Sequence, residues 1–165
     1  RDPGVIGCLG MPTEKSPYFS IIVDGIHCHE YAVRLAQKAN GSHCCLITDA
    51  MGAAGLPEGH YKLGKQNVVV IGNRAVLEEN HDTLAGSIVG IDECVRNYRK
   101  FCECSTEEAL NNATLNPARV IHMDHKKGSL DAGKDADFVF LDDDLNVLAT
   151  LIGGELAWSK EGFLL

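Results

Sequence analysis

The sequence has no Cys-x-x-Cys pair, no apolar run long enough to cross a bilayer, no internal repeat and no low-complexity stretch. Each absence closes a class. Without Cys-x-x-Cys spacing, neither a zinc ribbon nor a thioredoxin-like redox site is expected. A membrane helix needs about 20 apolar residues, so no span is expected. No signal-like segment opens the chain. Cations are also scarce: 15 Lys and Arg stand against 23 Asp and Glu, for a formal net charge of -8. That balance argues against nucleic acid and membrane partners, both of which attract basic surfaces. It leaves a small anionic substrate open, because such a ligand needs only a few local cations.

What is present reads as an α/β chain. Among 165 residues, 45% are apolar, enough for one domain or part of a larger one. Seven cysteines occur, an odd number, and Cys28, Cys44, Cys45 and Cys94 lie in apolar runs. Buried free thiols in a reducing, cytoplasmic compartment are expected. Residues 1–17, rich in Gly and Pro, read as loop. Phe19-Ser20-Ile21-Ile22-Val23 reads as a buried strand broken by Asp24-Gly25, and residues 29–39 follow with helical spacing. Cys44-Cys45-Leu46-Ile47 reads as a second strand ending at Thr48-Asp49-Ala50. Strand, helix, strand with short connections predicts a parallel βαβ unit.

Residues 50–64 read as irregular. Val68-Val69-Val70-Ile71 and Ala75-Val76-Leu77, separated by Gly72-Asn73, predict a hairpin. Thr83-Leu84-Ala85-Gly86-Ser87 reads as a small-residue turn before a helix bearing Ile88, Ile91, Val95 and Tyr98 on one face. Ser105-Thr106-Glu107-Glu108 reads as a capping box, and Asn116-Pro117 as the start of a short helix. In the tail, residues 137–141, 147–152 and about 156–158 read as strands, with Asp142-Asp143-Asp144 as a turn. Two strand–helix units do not make a stable sheet alone, which suggests a portion of a larger barrel enzyme. A compact single domain with different pairing is the alternative.

Several residues can carry chemistry. Asp49 lies just past the carboxyl end of a strand, where α/β folds build sites. A carboxylate there can move a proton, or it can simply cap a helix or shape a turn. His27 and His29 form His-x-His, which can grip one zinc; equally, His27 can meet an anionic group while His29 starts the helix. Arg1 is either solvated or a phosphate fork. The turn at residues 83–87 can hold an anion on its backbone N–H groups or be an ordinary helix start. Cys102-x-Cys104 and His122-x-x-His125 make weak metal candidates, the latter beside Lys126-Lys127.

Taken together, the runs Asp24-Gly25-Ile26-His27, Thr48-Asp49-Ala50-Met51, Gly55-Leu56-Pro57, Thr83-Leu84-Ala85-Gly86-Ser87, Ala113-Thr114-Leu115-Asn116-Pro117-Ala118 and the Gly128–Asp137 segment occur in one order. They resemble the second half of the N-acetylglucosamine-6-phosphate deacetylases, of the amidohydrolase superfamily. The Gly128–Asp137 segment is shared across the superfamily; the others are more specific.

The resemblance implies a fold: the carboxy-terminal half of a (β/α)8 TIM-type barrel over residues 1–125, and the carboxy-terminal strands of a small β-sandwich over 126–165. It implies hydrolysis of the acetamide of N-acetylglucosamine 6-phosphate by a metal-dependent enzyme that forms a homodimer. Asp49 matches the general base and acid. His27 and Arg1 match phosphate-binding residues, Arg1 reaching in from a partner subunit. Leu84 and Ala85 lie in the run lining the sugar and acetyl pocket. The divalent metal, zinc by this likeness, is held in the family by residues expected before Arg1, so no metal ligand is expected here. Asp82 stands where the family usually has Gly. Two other readings remain: a dihydroorotase-like amidohydrolase with His27 and His29 on the metal, and a non-catalytic fragment.

Overall fold

The computed structural model describes residues 1–163. The predicted βαβ unit forms. Strand β1 (Phe19–Ile22) and β2 (Cys44–Ile47) pair in parallel, Phe19 opposite Cys44 through Ile22 opposite Ile47, with helix α1 (Glu30–Asn40) between them. Helix α1 runs from 30 to 40 because its apolar positions recur at helical spacing and bury Val33 and Ala36. Residues 1–17 are not all irregular: Val5–Gly10 and Thr13–Lys15 make short 3-10 turns, the first lying against α1.

After β2 the chain leaves the parallel sheet and builds a four-stranded antiparallel meander. Its strands are β3 (Gly59–Leu63), β4 (Gln66–Ile71), β5 (Arg74–Leu77) and β6 (Asn80–Leu84), in that spatial order. The Gly72-Asn73 turn is where the sequence places it, with Gly72 at φ +58° as such a turn requires. Strand β3 corrects the irregular reading of residues 50–64. Its pairing with β4 decides the conformation over the flanking glycines. The chain then returns, and Ser87 bridges Ala50 in parallel, three residues past the end of β2.

Helices α2 (Ile91–Cys102), α3 (Thr106–Asn111) and α4 (Leu115–Val120) follow. Ile88 lies before α2 and packs with the meander instead of on the helix face. Ser105 caps α3 as predicted, but the box is half made: the Glu108 N–H donates to Ser105 Oγ, while Glu108 Oε1 accepts from Gln37 on α1. Pro117 takes the third helical position of α4, where its missing N–H also costs nothing. The tail forms a three-stranded antiparallel sheet, β7 (Phe138–Leu141), β8 (Val147–Ile152) and β9 (Glu155–Ser159).

Two cores hold these parts. One joins β1, β2, α1, α2 and α3 around Val23, Val33, Cys44, Leu46, Cys94 and Tyr98, and it also takes in Leu145 from the tail. The other lies under the meander, with Met51, Ala53, Val68, Val70, Ala75 and Ala85. No described helix is long and apolar enough to cross a membrane. The described residues form an open α/β assembly, and no closed barrel is present among them.

Candidate active site

The carboxyl ends of β1 and β2 are fixed from below by α2. Asn97 Nδ2 donates to the Val23 carbonyl at 2.9 Å, and one turn away Cys94 Sγ reaches the Ile47 carbonyl at 3.7 Å. On the other side of β2, Asn112 and Asn116 stitch α3 and α4 to it. The Leu46 N–H donates to the Asn112 carbonyl at 2.8 Å, and Asn116 Nδ2 donates to the Cys44 carbonyl at 2.8 Å. Both asparagines are buried. In the sequence Asn116 stands out only in a motif and at a helix start; its buried strand contact explains why a polar residue belongs there.

Each strand ends two residues before an aspartate, Asp24 after β1 and Asp49 after β2. Asp24 has a side chain only 5% exposed. Its Oδ1 accepts from the Ile26 and His27 N–H groups, both at 2.9 Å, and its Oδ2 lies 2.6 Å from His27 Nδ1. Burial works to raise the Asp24 pKa, but the bonds from the His27 ring and the two N–H groups outweigh it and hold the carboxyl below its usual value. The turn thereby fixes His27 through Nδ1 and leaves Nε2 as the ring nitrogen not used by Asp24. His29 is used differently. It caps α1, its Nδ1 accepting from the Tyr31 N–H at 3.2 Å. Among the described residues no group of three His, Cys, Asp or Glu side chains is arranged to hold a metal. The set around His27 and His29 therefore does not fit a metal centre by itself.

Asp49 is exposed, and its backbone is left-handed at φ +47°. For a residue with a side chain that conformation costs about 1 kcal/mol, aspartate being among the more tolerant. Ser87 holds it: the Ser87 N–H donates to the Asp49 carbonyl at 3.1 Å, the Met51 N–H donates to the Ser87 carbonyl at 2.8 Å, and Ser87 Oγ donates to the Thr48 carbonyl. Gly86 lies at φ +80°, a conformation side chains rarely adopt, and so lets the segment turn here. None of the side-chain hydrogen bonds among the described residues uses the Asp49 carboxylate.

The predicted helix start at residues 83–87 is absent. Thr83 and Leu84 finish β6, and α2 begins only at Ile91, because the Ser87 bridge extends the segment. Leu84 is half-buried and pairs with Val76, while Ala85 is buried in the meander core. Arg1 is exposed. Two thiols are poor nucleophiles: burial, helped by neighbouring Cys45, pushes Cys44 up to about 12, and burial with Cys104 beside it pushes Cys102 up to about 11. The grooves at Arg96, Arg99 and Leu145 and at Ser42, Asn112 and Arg119 lie on the helices, and neither is lined by Asp49 or His27.

Parallel strands whose carboxyl ends carry an exposed carboxylate and a fixed imidazole are where α/β folds build their sites. The chain belongs to the amidohydrolase family, whose profile matches residues 17–157. More particularly, it is 44% identical over 164 residues to N-acetylglucosamine-6-phosphate deacetylase of Bos taurus, covering 98% of this chain and 40% of that protein. It is 42% identical to the deacetylase of Bacillus subtilis, with the same coverage of each. The solved deacetylase of Thermotoga maritima superposes with a TM-score of 0.85 at 32% identity, covering 95% of this chain and 42% of that one. A mutant of the Mycobacterium smegmatis enzyme, with one aspartate changed to alanine and in complex with N-acetyl-D-glucosamine-6-phosphate, matches at 0.78 and 33%, covering 84% and 37%. The chain thus spans about 40% of the length of the curated relatives it matches.

Proposed function

We propose that the chain is the carboxy-terminal portion of a deacetylase that hydrolyses the acetamide of N-acetylglucosamine 6-phosphate to glucosamine 6-phosphate and acetate. The observation that carries this is the exposed Asp49 just past the end of β2, held left-handed, its carboxylate without a hydrogen-bond partner among the described residues. In this reading Asp49 takes a proton from the attacking water and returns it to the amine as the C–N bond breaks. A solved relative captured with this sugar phosphate in an aspartate-to-alanine form supports an aspartate in that role. His27, fixed by Asp24, and Arg1, reaching in from the partner of a homodimer, bind the phosphate. Leu84 and Ala85 line the pocket for the sugar and acetyl group by packing.

The amidohydrolase family implies a divalent metal. In this reading it is zinc, held by residues before Arg1, and it supplies Lewis acidity at the acetyl carbonyl and water. Residues 1–125 then form the second half of a (β/α)8 barrel and residues 126–165 the last strands of a β-sandwich. The packing of Leu145 into the first core joins the two. Seven unpaired cysteines support a cytoplasmic setting.

The test is acetate release from N-acetylglucosamine 6-phosphate by the full-length enzyme and its Asp49→Asn variant. The variant is expected to lose about 10³-fold in kcat with metal content unchanged. Retained turnover would remove Asp49 from the chemistry, and an intact enzyme inert on this sugar would remove the substrate.

A further inference from the structure

Residue 87 acts on both peptide planes that flank Asp49. The Thr48 carbonyl belongs to the plane before it, whose rotation is φ of Asp49, and Ser87 Oγ donates to that carbonyl. The Asp49 carbonyl belongs to the plane after it, whose rotation is ψ, and the Ser87 N–H donates to that one at 3.1 Å. A third bond, from the Met51 N–H to the Ser87 carbonyl at 2.8 Å, fixes the register between the two segments. Ser87 itself is 2% exposed, so its donors are shielded from water on their own side. On the far side, Thr48 Oγ1 accepts from the Ala50 N–H at 3.3 Å and steadies the same turn.

We infer that Ser87 is a positioning residue that sets the direction of the Asp49 carboxylate by clamping the peptide planes on either side of it. The inference rests on the assignment of Asp49 as the proton carrier and adds what aims it. Once φ and ψ of residue 49 are fixed, the Cα–Cβ direction is fixed with them, and only two side-chain torsions remain free. The two backbone bonds persist with any residue but proline at position 87. The hydroxyl is what the side chain adds, and it acts on the plane that holds the left-handed φ. Losing it lets the Thr48–Asp49 plane turn and swings the carboxylate away from the substrate's nitrogen.

The test is a double-mutant cycle in the full-length enzyme with N-acetylglucosamine 6-phosphate as substrate. Ser87→Ala is expected to lower kcat about 10- to 100-fold, the scale of a carboxylate displaced by roughly an ångström. KM should stay within about twofold, because no group that binds the sugar is removed. In the Asp49→Asn background the same Ser87→Ala change should alter the remaining turnover less than about twofold. An equal loss in both backgrounds would show that Ser87 acts on something other than Asp49 and would overturn the inference. Wild-type kcat in Ser87→Ala, with Asp49→Asn inactive, would overturn it while leaving Asp49 its role. Full turnover in Asp49→Asn would end both. Should the Ala variant not fold, Ser87→Thr, which keeps the hydroxyl, carries the test. A folded Thr enzyme within about threefold of wild type supports the clamp, and a folded one as slow as Asp49→Asn overturns it.

Discussion

Asp24 and Asp49 occupy equivalent places on neighbouring parallel strands, each two residues past the last registered pair, Ile22 opposite Ile47. Their surroundings make them opposites. Asp24 has its side chain buried and all its hydrogen bonds within its own turn, two from N–H groups and one from the His27 ring. Asp49 has its backbone held from a distant segment and its carboxylate left to the solvent. The same residue type at the same register thus becomes a structural anchor where its side chain is consumed locally. Where long-range contacts hold the backbone instead, the carboxylate is left exposed, and in the proposed function it is the reagent. Strand-end position alone does not separate the two; the partner of the carboxylate does.

The largest effects should break this contrast cleanly. Asp49→Asn is expected to lower kcat about 10³-fold while shifting the thermal midpoint little, since no side-chain hydrogen bond among the described residues uses that carboxylate. Asp24→Asn should do the reverse. It removes a charged acceptor from two N–H groups and a ring, a loss of about 1–3 kcal/mol in stability seen as a lower midpoint, with activity falling mainly through KM. Equal stability losses in both variants would erase the distinction.

Next in size is the phosphate. His27→Ala and Arg1→Ala in the full-length enzyme should raise KM for N-acetylglucosamine 6-phosphate about tenfold or more and change the unphosphorylated sugar little, each lost charged contact being worth about 1.5–3 kcal/mol. Equal changes on both sugars would withdraw these residues from the phosphate.

The acid limb of the stability curve gives a smaller effect. The folded Asp24 carboxyl lies below the unfolded value of 3.8, so its contribution is complete above that value. It is lost as pH falls through the folded pKa. Unfolding measured across this acid window should show a shallower decline in Asp24→Asn than in the parent. An unchanged slope would show that Asp24 does not set it.

The smallest effect belongs to His29. Its ring caps α1, so His29→Ala should cost about 0.5 kcal/mol and leave bound metal in the full-length enzyme unchanged. Loss of the metal would restore the dihydroorotase-like reading, in which His27 and His29 are ligands.

The local parts of this architecture were legible in the sequence. β1 and β2 show as apolar runs, α1 shows in the spacing of its apolar residues, the β4–β5 turn in Gly72-Asn73, and the α3 cap in Ser105. These depend on neighbours in the chain. Strand β3 was not legible, since Gly59 and Gly64 mask a short edge strand whose conformation comes from β4. Nor was the helix boundary at Ile91, because the Ser87 bridge that displaces it is a contact between distant segments. Asp49 could be singled out by position and motif. Its left-handed backbone and the residue that imposes it could not, because no local pattern encodes a hydrogen bond from residue 87 to residue 48.

The meander between Ala50 and Ser87 has a consequence for the order of folding. Closing a bridge between segments so far apart in sequence carries a loop-closure cost, which grows only slowly with length but must be met before the contact forms. Hairpins β3–β4, β4–β5 and β5–β6 each form from near neighbours, and zipped together they carry Ser87 back to the end of β2. The excursion therefore works as a folded spacer. The backbone that aims Asp49 is completed after the meander has formed, so lengthening one of its turns should slow the arrival of the site more than it weakens the finished structure.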